Sequence, residues 1–373
     1  MPFIKSAFQA CIISVFPVLL APVETAAHNQ IESGDTVKIG LLVSDGKSQA
    51  AKEGAELAVL EANGEGGLNG LPLKLVVSSM EGPWGTGSKQ AVRMVFDEKV
   101  AAILGSHDGR NAHLVEQVAA KSRIVFLSAW SGDPTLSQAF VPWFFNCVYN
   151  DIQISDLLIR EIYDKRKYMK IALISDSSYD SGSVRKNFLK KVESEGKPEP
   201  LSISYRGDSQ DIRSITDKLK SEGINCIVLF GQPPASLKIV EQLRVNHLNQ
   251  PVYGPLYLLD ENKISIGDMK NYKNVAIVAS ELLSGEIGIS FSKNYEKTYG
   301  RLPGAVASYA YDGMNVLIAA IRKGGTEREK LQRSFSEIKY EGVTGTIQFD
   351  ERGNRKGIPV LVEIKNGIPV PVK

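Results

Sequence analysis

Apolar and polar positions along the chain fall into runs of two periods that take turns. Val37–Val43 (VKIGLLV) is almost continuously apolar, which predicts a strand covered on both faces, as in a parallel sheet flanked by helices. Over Ser48–Ala62, Ala, Leu and Val recur at helical spacing, and the run stops at Gly64-Glu65-Gly66-Gly67. The pattern repeats as strand Leu73–Ser78, helix Ser88–Asp97, strand Val100–Leu104, helix Asn111–Ala120 and strand Ile124–Ser128. Past Asp151–Tyr163 a second series follows. It runs strand Lys170–Ser175, helix Ser183–Glu195, strand Leu201–Tyr205, helix Asp211–Ser221, strand Cys226–Phe230 and helix Ala235–Val245. Strands alternating with helices of this length predict parallel sheets with right-handed crossovers. Two series of similar size predict an α/β fold of two doubly wound lobes.

The last stretch is too short for a core of its own. Val275–Ala279 reads as a further strand, and Ser290–Tyr299 and Ala307–Lys323 as helices. Thr344–Phe349 and Ile358–Ile364 read as a strand pair joined by the turn-rich Asp350-Glu351-Arg352-Gly353-Asn354. Packed onto lobes already built, these segments divide the chain in two. The N-terminal lobe takes residues 36–147 plus 277–339, and the C-terminal lobe 148–276 plus 340–373. More than two crossings link them and act as a hinge.

Composition narrows the classes. The 373 residues carry 44 Lys plus Arg against 42 Asp plus Glu, a formal charge of +2, with 43% hydrophobic residues. That balance excludes a polybasic nucleic-acid binder and an acidic disordered chain. The first residues follow other rules. Lys5, the apolar run Ala7–Leu20 and the small residues Thr25-Ala26-Ala27 read as an export signal over residues 1–27, cleaved near Ala27. The run is shorter than the roughly 20 residues that span a bilayer, so the protein is expected to work outside the cytoplasm. Cys147 and Cys226, the cysteines beyond that signal, sit in apolar runs and read as buried small hydrophobes rather than a disulfide framework.

The search for reactive chemistry finds little. The chain has no Gly-x-Ser-x-Gly elbow, no phosphate loop of the Walker type and no His-Glu-x-x-His pair. Glycines 64, 66, 67 and 70 follow a helix and precede a strand, the reverse of a dinucleotide fingerprint, and read as a helix cap plus turn. His107 and His113 fall near one helix start, but no cysteine or carboxylate set completes a metal site. Asp176, Asp180 and Asp211 read as helix-start carboxylates. Neither a cofactor nor an enzymatic reaction is expected, and binding is the default.

In open parallel sheets ligands bind beyond the C-terminal strand ends, where helix starts offer free N–H groups. Those ends carry Glu81-Gly82-Pro83-Trp84-Gly85, Gly105-Ser106-His107-Asp108-Gly109-Arg110-Asn111 and Ser128-Ala129-Trp130-Ser131-Gly132-Asp133-Pro134. In the second series they carry Asp176-Ser177-Ser178-Tyr179-Asp180-Ser181-Gly182, Gly231-Gln232-Pro233-Pro234 and Gly254-Pro255-Leu256. Hydroxyls, amides, backbone donors and a few aromatics suit a small polar solute with an apolar part.

The order of these turns resembles the type I periplasmic substrate-binding proteins of ABC importers, in the Leu/Ile/Val-binding branch. The pieces that carry the likeness are Glu65-Gly66-Gly67-Leu68-Asn69-Gly70, Ser128-x-x-Ser131-Gly132-x-Pro134, Asp176-x-x-Tyr179-x-x-Gly182 and Tyr309-Ala310-Tyr311-Asp312-Gly313. The resemblance implies a periplasmic monomer that binds an amino-acid-like or amide solute in a hinged cleft. It implies delivery of that solute to a permease and its ATPase, with a sensor that signals to a membrane partner as the alternative. It puts the ligand's carboxylate at Arg110 or Asn111 with Ser131 and Gly132, and a closing aromatic at Tyr179. Gln232 falls where the family often has another aromatic, and Trp84 and Trp130 join the expected wall. Two positions depart from the pattern. The family's gripping threonine is Gly132 here, and its ammonium-binding acid aligns with Leu256, leaving Asp260 or Glu261 in the same loop as substitutes.

Overall fold

A computed structural model describes residues 36–138, 141–206, 209–283, 285–365 and 368–372. The export signal expected over residues 1–27 lies outside them. Among the described residues no helix is long and apolar enough to cross a membrane.

The first series folds as β1 (Val37–Val43), α1 (Gln49–Gly64), β2 (Leu73–Ser79), α2 (Thr86–Phe96), β3 (Ala102–Ser106), α3 (Gly109–Ser122), β4 (Val125–Ser128), α4 (Thr135–Gln138) and β5 (Phe144–Asn146). The strands pair in parallel in the order β2-β1-β3-β4-β5. The second series begins with α5 (Asp151–Ile159), which runs on through a π-helical turn at Arg160–Lys165. It continues as β6 (Ile171–Ser175), α6 (Tyr179–Ser194), β7 (Leu201–Ser204), α7 (Ser209–Glu222), β8 (Cys226–Phe230), α8 (Ala235–Val245) and β9 (Val252–Pro255). After a 3-10 turn at Leu256–Leu259 come α9 (Ile266–Met269) and β10 (Val275–Ala279). Here β7-β6-β8-β9-β10 form a parallel sheet in the same order as the first. The molecule is therefore two α/β lobes with parallel cores, and each strand order reverses direction at one point, between β1 and β3 and between β6 and β8.

The apolar runs explain the layers. β3, β6 and β8 are buried at every residue, as sheets covered on both faces require. One face of the first sheet packs Met94, Val115 and Phe126 under α2 and α3. One face of the second packs Val184, Phe188 and Phe230 under α6. The chain then returns to the first lobe, where α10 (Gly285–Tyr299) and α11 (Ala305–Gly324) pack on α1, and α12 (Arg328–Ser336) packs on α11. Cys147 and Cys226 are both buried and unpaired with each other. Gly66 and Gly67 close α1, their N–H groups returning to Asn63 and Ala62 carbonyls.

The final strands correct one expectation. Thr344–Phe349 and Ile358–Ile364 do not form a pair. Among the described residues, the only ladder contact across that turn is the bridge Phe349–Arg355. β12 (Gly345–Ile347) instead pairs back with β11 (Tyr340–Gly342), while β13 (Val360–Lys365) joins β10 antiparallel and carries β14 (Ile368–Pro371) on its outer edge. The turn is real: Gly353 N–H reaches the Asp350 carbonyl and Lys356 N–H the Gln348 carbonyl. Beyond it the two arms go to different sheets, because β10 presents an open edge that buries Leu361 and Val362.

The crossings between lobes are laced together by two buried charged residues. Arg355, 1% exposed, donates to the carbonyls of Cys147, Thr344 and Thr346 at 2.8, 2.6 and 2.9 Å and to the Thr344 hydroxyl at 3.2 Å. Asp312 on α11 accepts from the Val343 and Thr344 N–H groups at 2.9 and 2.7 Å. The Leu283 N–H donates to the Val343 carbonyl at 2.8 Å. Replacing Arg355 by Leu would leave these carbonyls without their donor at roughly 1–3 kcal/mol each. Urea unfolding of Arg355→Leu is expected to lose about 3 kcal/mol or more; a loss below about 1 kcal/mol would show that water replaces the guanidinium.

Candidate functional site

The residues that face across the cleft come from helix starts, because a parallel strand delivers the chain to a helix N-terminus at its C-terminal end. Asp108 caps α3, accepting from Asn111 N–H at 2.8 Å and from the Asn111 amide at 2.9 Å. The first N–H of that helix, on Gly109, is left for the other lobe and donates to Asp180 Oδ1 at 2.9 Å. Beside it the Tyr179 hydroxyl donates to Asp133 Oδ2 at 2.7 Å. This approach needs a glycine at 109, since a Cβ there would sit 2.9 Å from the Asp133 Cβ and 3.1 Å from Tyr179 Cε1.

Asp133 is the hub on the first lobe. It also accepts from the Thr135 N–H at 2.9 Å and hydroxyl at 2.6 Å, and it meets His113 Nε2 at 3.1 Å. Burial alone would raise its carboxyl, but the bonds from His113, Thr135 and Tyr179 outweigh burial and hold it down at about 2. His113, bonded to Asp133 and, through Nδ1, to Glu116 at 3.2 Å, is pushed up to about 9.

A cavity of about 30 Å³ lies between the lobes. Trp130, Gly132 and Tyr149 wall one side, and Asp180, Leu256 and Tyr257 another, with Asp151 and Tyr309 also lining it. Asp151 opens α5, and its N–H donates to the Gly132 carbonyl at 2.8 Å. Its Oδ2 takes the Ser183 hydroxyl at 2.6 Å. Its Oδ1 lies where a side chain on residue 132 would be, 2.9 Å from the Cβ position. Burial raises the Asp151 carboxyl well above its ordinary value, and Asp133 and Asp180 push the same way. Burial likewise raises Asp180 to about 7, against the pull of the Gly109 N–H.

The expected site residues divide. Trp130 and Gly132 line the cavity, and Tyr179 bridges the cleft. Ser131 lies directly beneath, 1% exposed, its hydroxyl accepting from the Asp133 N–H at 3.3 Å. Like Tyr179 and Ser131, the four others stand outside the lining. Trp84 is exposed, with the Arg110 guanidinium 4.2 Å from its ring centroid. Asn111 is occupied with its own helix cap. Gln232 donates its N–H to Asp176 at 2.6 Å, and its side-chain oxygen accepts from Lys263 at 2.8 Å.

Neither acid considered as a substitute for Leu256 faces the cavity. Asp260 accepts from the Asn262 N–H at 3.1 Å and pairs with Lys263 at 3.4 Å. Glu261 caps α11, accepting from the Val306 and Ala307 N–H groups at 2.8 Å each. The acids that line the cavity are Asp180, which the sequence reading took as a helix-start carboxylate, and Asp151, which it did not single out. A signal was present: Asn150 and Ser178, just upstream, are the capping residues, so both acids are surplus to capping.

A model of the family described as periplasmic binding protein matches residues 36–362. The chain is similar to Leu/Ile/Val-binding protein homolog 2 of Brucella abortus (strain 2308), 23% identical over 328 residues that cover 86% of this chain and 88% of that one. Among solved structures it resembles the branched-chain amino acid transporter substrate-binding protein LivJ from Streptococcus pneumoniae in complex with isoleucine. The TM-score is 0.78 at 21% identity, covering 91% of this chain and all of that one (100%). It also resembles a solute-binding protein of an ABC transporter from R. palustris in complex with benzoate, with a TM-score of 0.74 at 20% identity, covering 91% and 96% of the two chains. Two parallel-sheet lobes, the crossings between them and a family match that spans both lobes lead to one assignment: this chain belongs to the periplasmic binding protein family.

Proposed function

We propose that the protein takes a small amino-acid-like or amide solute into the interlobe cleft, outside the cytoplasm, and hands it unchanged to a membrane ABC permease. One observation carries the reading. Side chains of both lobes wall a single cavity, and hydrogen bonds from both lobes, Gly109 to Asp180 and Tyr179 to Asp133, shut it. A site completed only when two bodies meet couples occupancy to closure, because ligand contacts from both sides favour the closed state. Trp130, Gly132 and Tyr179 contact the solute or the closing seam, and Ser131 holds Asp133 in place. Relatives that bind branched-chain amino acids or benzoate on the same fold support a solute of that size.

Tyr179→Phe deletes one closing bond to a charged acceptor, worth roughly 1.5–3 kcal/mol. Because the bond exists only in the closed state, the apparent Kd for whichever solute a thermal-shift panel of amino acids and amides identifies is expected to rise at least about tenfold. Thermal stability without solute should change little. An unchanged Kd would remove Tyr179 from the closing mechanism, and silence of that panel together with silence of alkylammonium ions would count against solute capture itself.

The His113–Asp133 pair makes the seam depend on pH. His113 is raised from 6.5 to about 9, so its contribution is complete below about 6.5 and is lost as pH climbs through about 9. Asp133 is lowered from 3.8 to about 2, so its share is present above about 3.8 and is lost as pH falls through about 2. Asp180, raised to about 7, adds a loss between about 4 and 7 that His113 does not cause. Melting temperatures of the native protein and His113→Gln should therefore converge between pH 7 and 10. Parallel curves over that range would show that the imidazolium contributes nothing to the seam.

A further inference from the structure

The interlobe cavity has two buried carboxyl groups that its own walls leave short of hydrogen-bond donors. Asp151 is 5% exposed, and its one hydrogen-bonded oxygen is Oδ2, held by Ser183. Its Oδ1 has no hydrogen-bond donor among the described residues and lies against Gly132 at the cavity wall. Asp180, also lining the cavity, accepts from the Gly109 N–H through Oδ1, while its Oδ2 has no donor among the described residues. Neither acid belongs to an ion pair among the described residues. Lys263, whose charge reaches Asp180 without forming an ion pair with it, is bonded to Asp260 and Gln232. Arg355, over the Tyr149 ring, spends Nη1 and Nη2 on carbonyls of the crossings, and its buried Nε has no partner among the described residues.

A second feature points the same way. Trp130, Tyr149, Tyr257 and Tyr309 all line this cavity. Aromatic faces carry negative quadrupoles and attract cations, and a cage of several rings is a recurrent way to hold an alkylated ammonium. Rings around two carboxylates with free oxygens would repel a ligand carboxylate and leave an uncharged amide without compensation for the acids. The cavity is small. Its volume of about 30 Å³ compares with roughly 10–15 Å³ of the same measure for one water, so it admits a compact head group.

Resting on the capture of a solute between the lobes but replacing its amino-acid or amide class, we propose that the cleft selects a compact alkylammonium ion lacking a carboxylate, its nitrogen shared between Asp151 Oδ1 and Asp180 Oδ2 inside the aromatic cage. Burial has raised both carboxyls, and a cation seated between them favours their ionised forms.

The test is calorimetric titration of the full-length chain with propylammonium chloride, tetramethylammonium chloride, propionamide, sodium propionate and L-leucine. Propylammonium is expected to bind at least tenfold more tightly than propionamide, propionate or leucine. Asp151→Asn should weaken propylammonium at least tenfold and propionamide much less, with melting temperature recording that the variant is folded. Asp180→Asn should act in the same direction. Binding of leucine or propionate in preference to both ammonium ions overturns the proposal and leaves the solute-binding reading intact. Equal loss of propylammonium and propionamide in Asp151→Asn also overturns it, since the carboxylate would then act by shape alone. Silence of all five probes overturns it as well, and the solute-binding reading is then judged separately by the amino-acid and amide panel.

Discussion

The cleft is governed by the meeting of helix N-termini from two sheets of the same strand order. Each sheet reverses its order at one point, and there the helices that follow the strands point their unpaired N–H groups outward. When two such surfaces face each other, positive helix ends oppose positive helix ends. Contact is favourable only if acceptors stand between them. Asp180 meets the first N–H of α3, and Asp133 meets the Tyr179 hydroxyl at the start of α6. The acids of the cleft thus have a role in the fold before any ligand is considered, and two of them, Asp151 and Asp180, keep an oxygen without a donor among the described residues.

Much of the architecture was legible in the hydrophobic pattern. Buried parallel strands leave near-continuous apolar runs, and VKIGLLV or CIVLF admits little else when helices follow at regular spacing. The pattern failed where pairing is decided by a partner far away in sequence. β13 alternates as a hairpin strand would, yet its partner is the edge of β10. The short Phe144–Asn146 strand and the Tyr340–Gly342 strand offer too few residues to show a period. Their positions follow from neighbours already in place.

The site was legible at the level of loops and not of side chains. The strand-end rule picks out the turns holding Trp130, Gly132 and Tyr179, because it rests on sheet topology. It cannot say which member of a turn faces the cavity. In Asp108-Gly109-Arg110-Asn111 the informative group is a backbone N–H, while Arg110 turns to Trp84 and Asn111 to its own cap. Asp151 and Asp180 escaped because an acid in the first helical turn is ordinary. What sets them apart is burial without a full set of donors, which arises only on assembly.

The fate of the remaining acids explains why hinge and cavity differ electrostatically. Glu261 and Asp312 are as buried as the cleft acids, and burial raises them too, to about 7 and about 6. Each nevertheless has donors on both oxygens: Glu261 the two N–H groups that open α11, and Asp312 the N–H groups of Val343 and Thr344. Backbone donors are fixed by the fold, so these acids stay satisfied in the native hinge without any added group. Asp151 and Asp180 have one such donor apiece, a hydroxyl and an N–H. Carboxylates with full donor sets hold structure together, whereas carboxylates with half a set await a partner. That asymmetry, more than any residue type, separates the acids at the lobe crossings from the acids of the cavity.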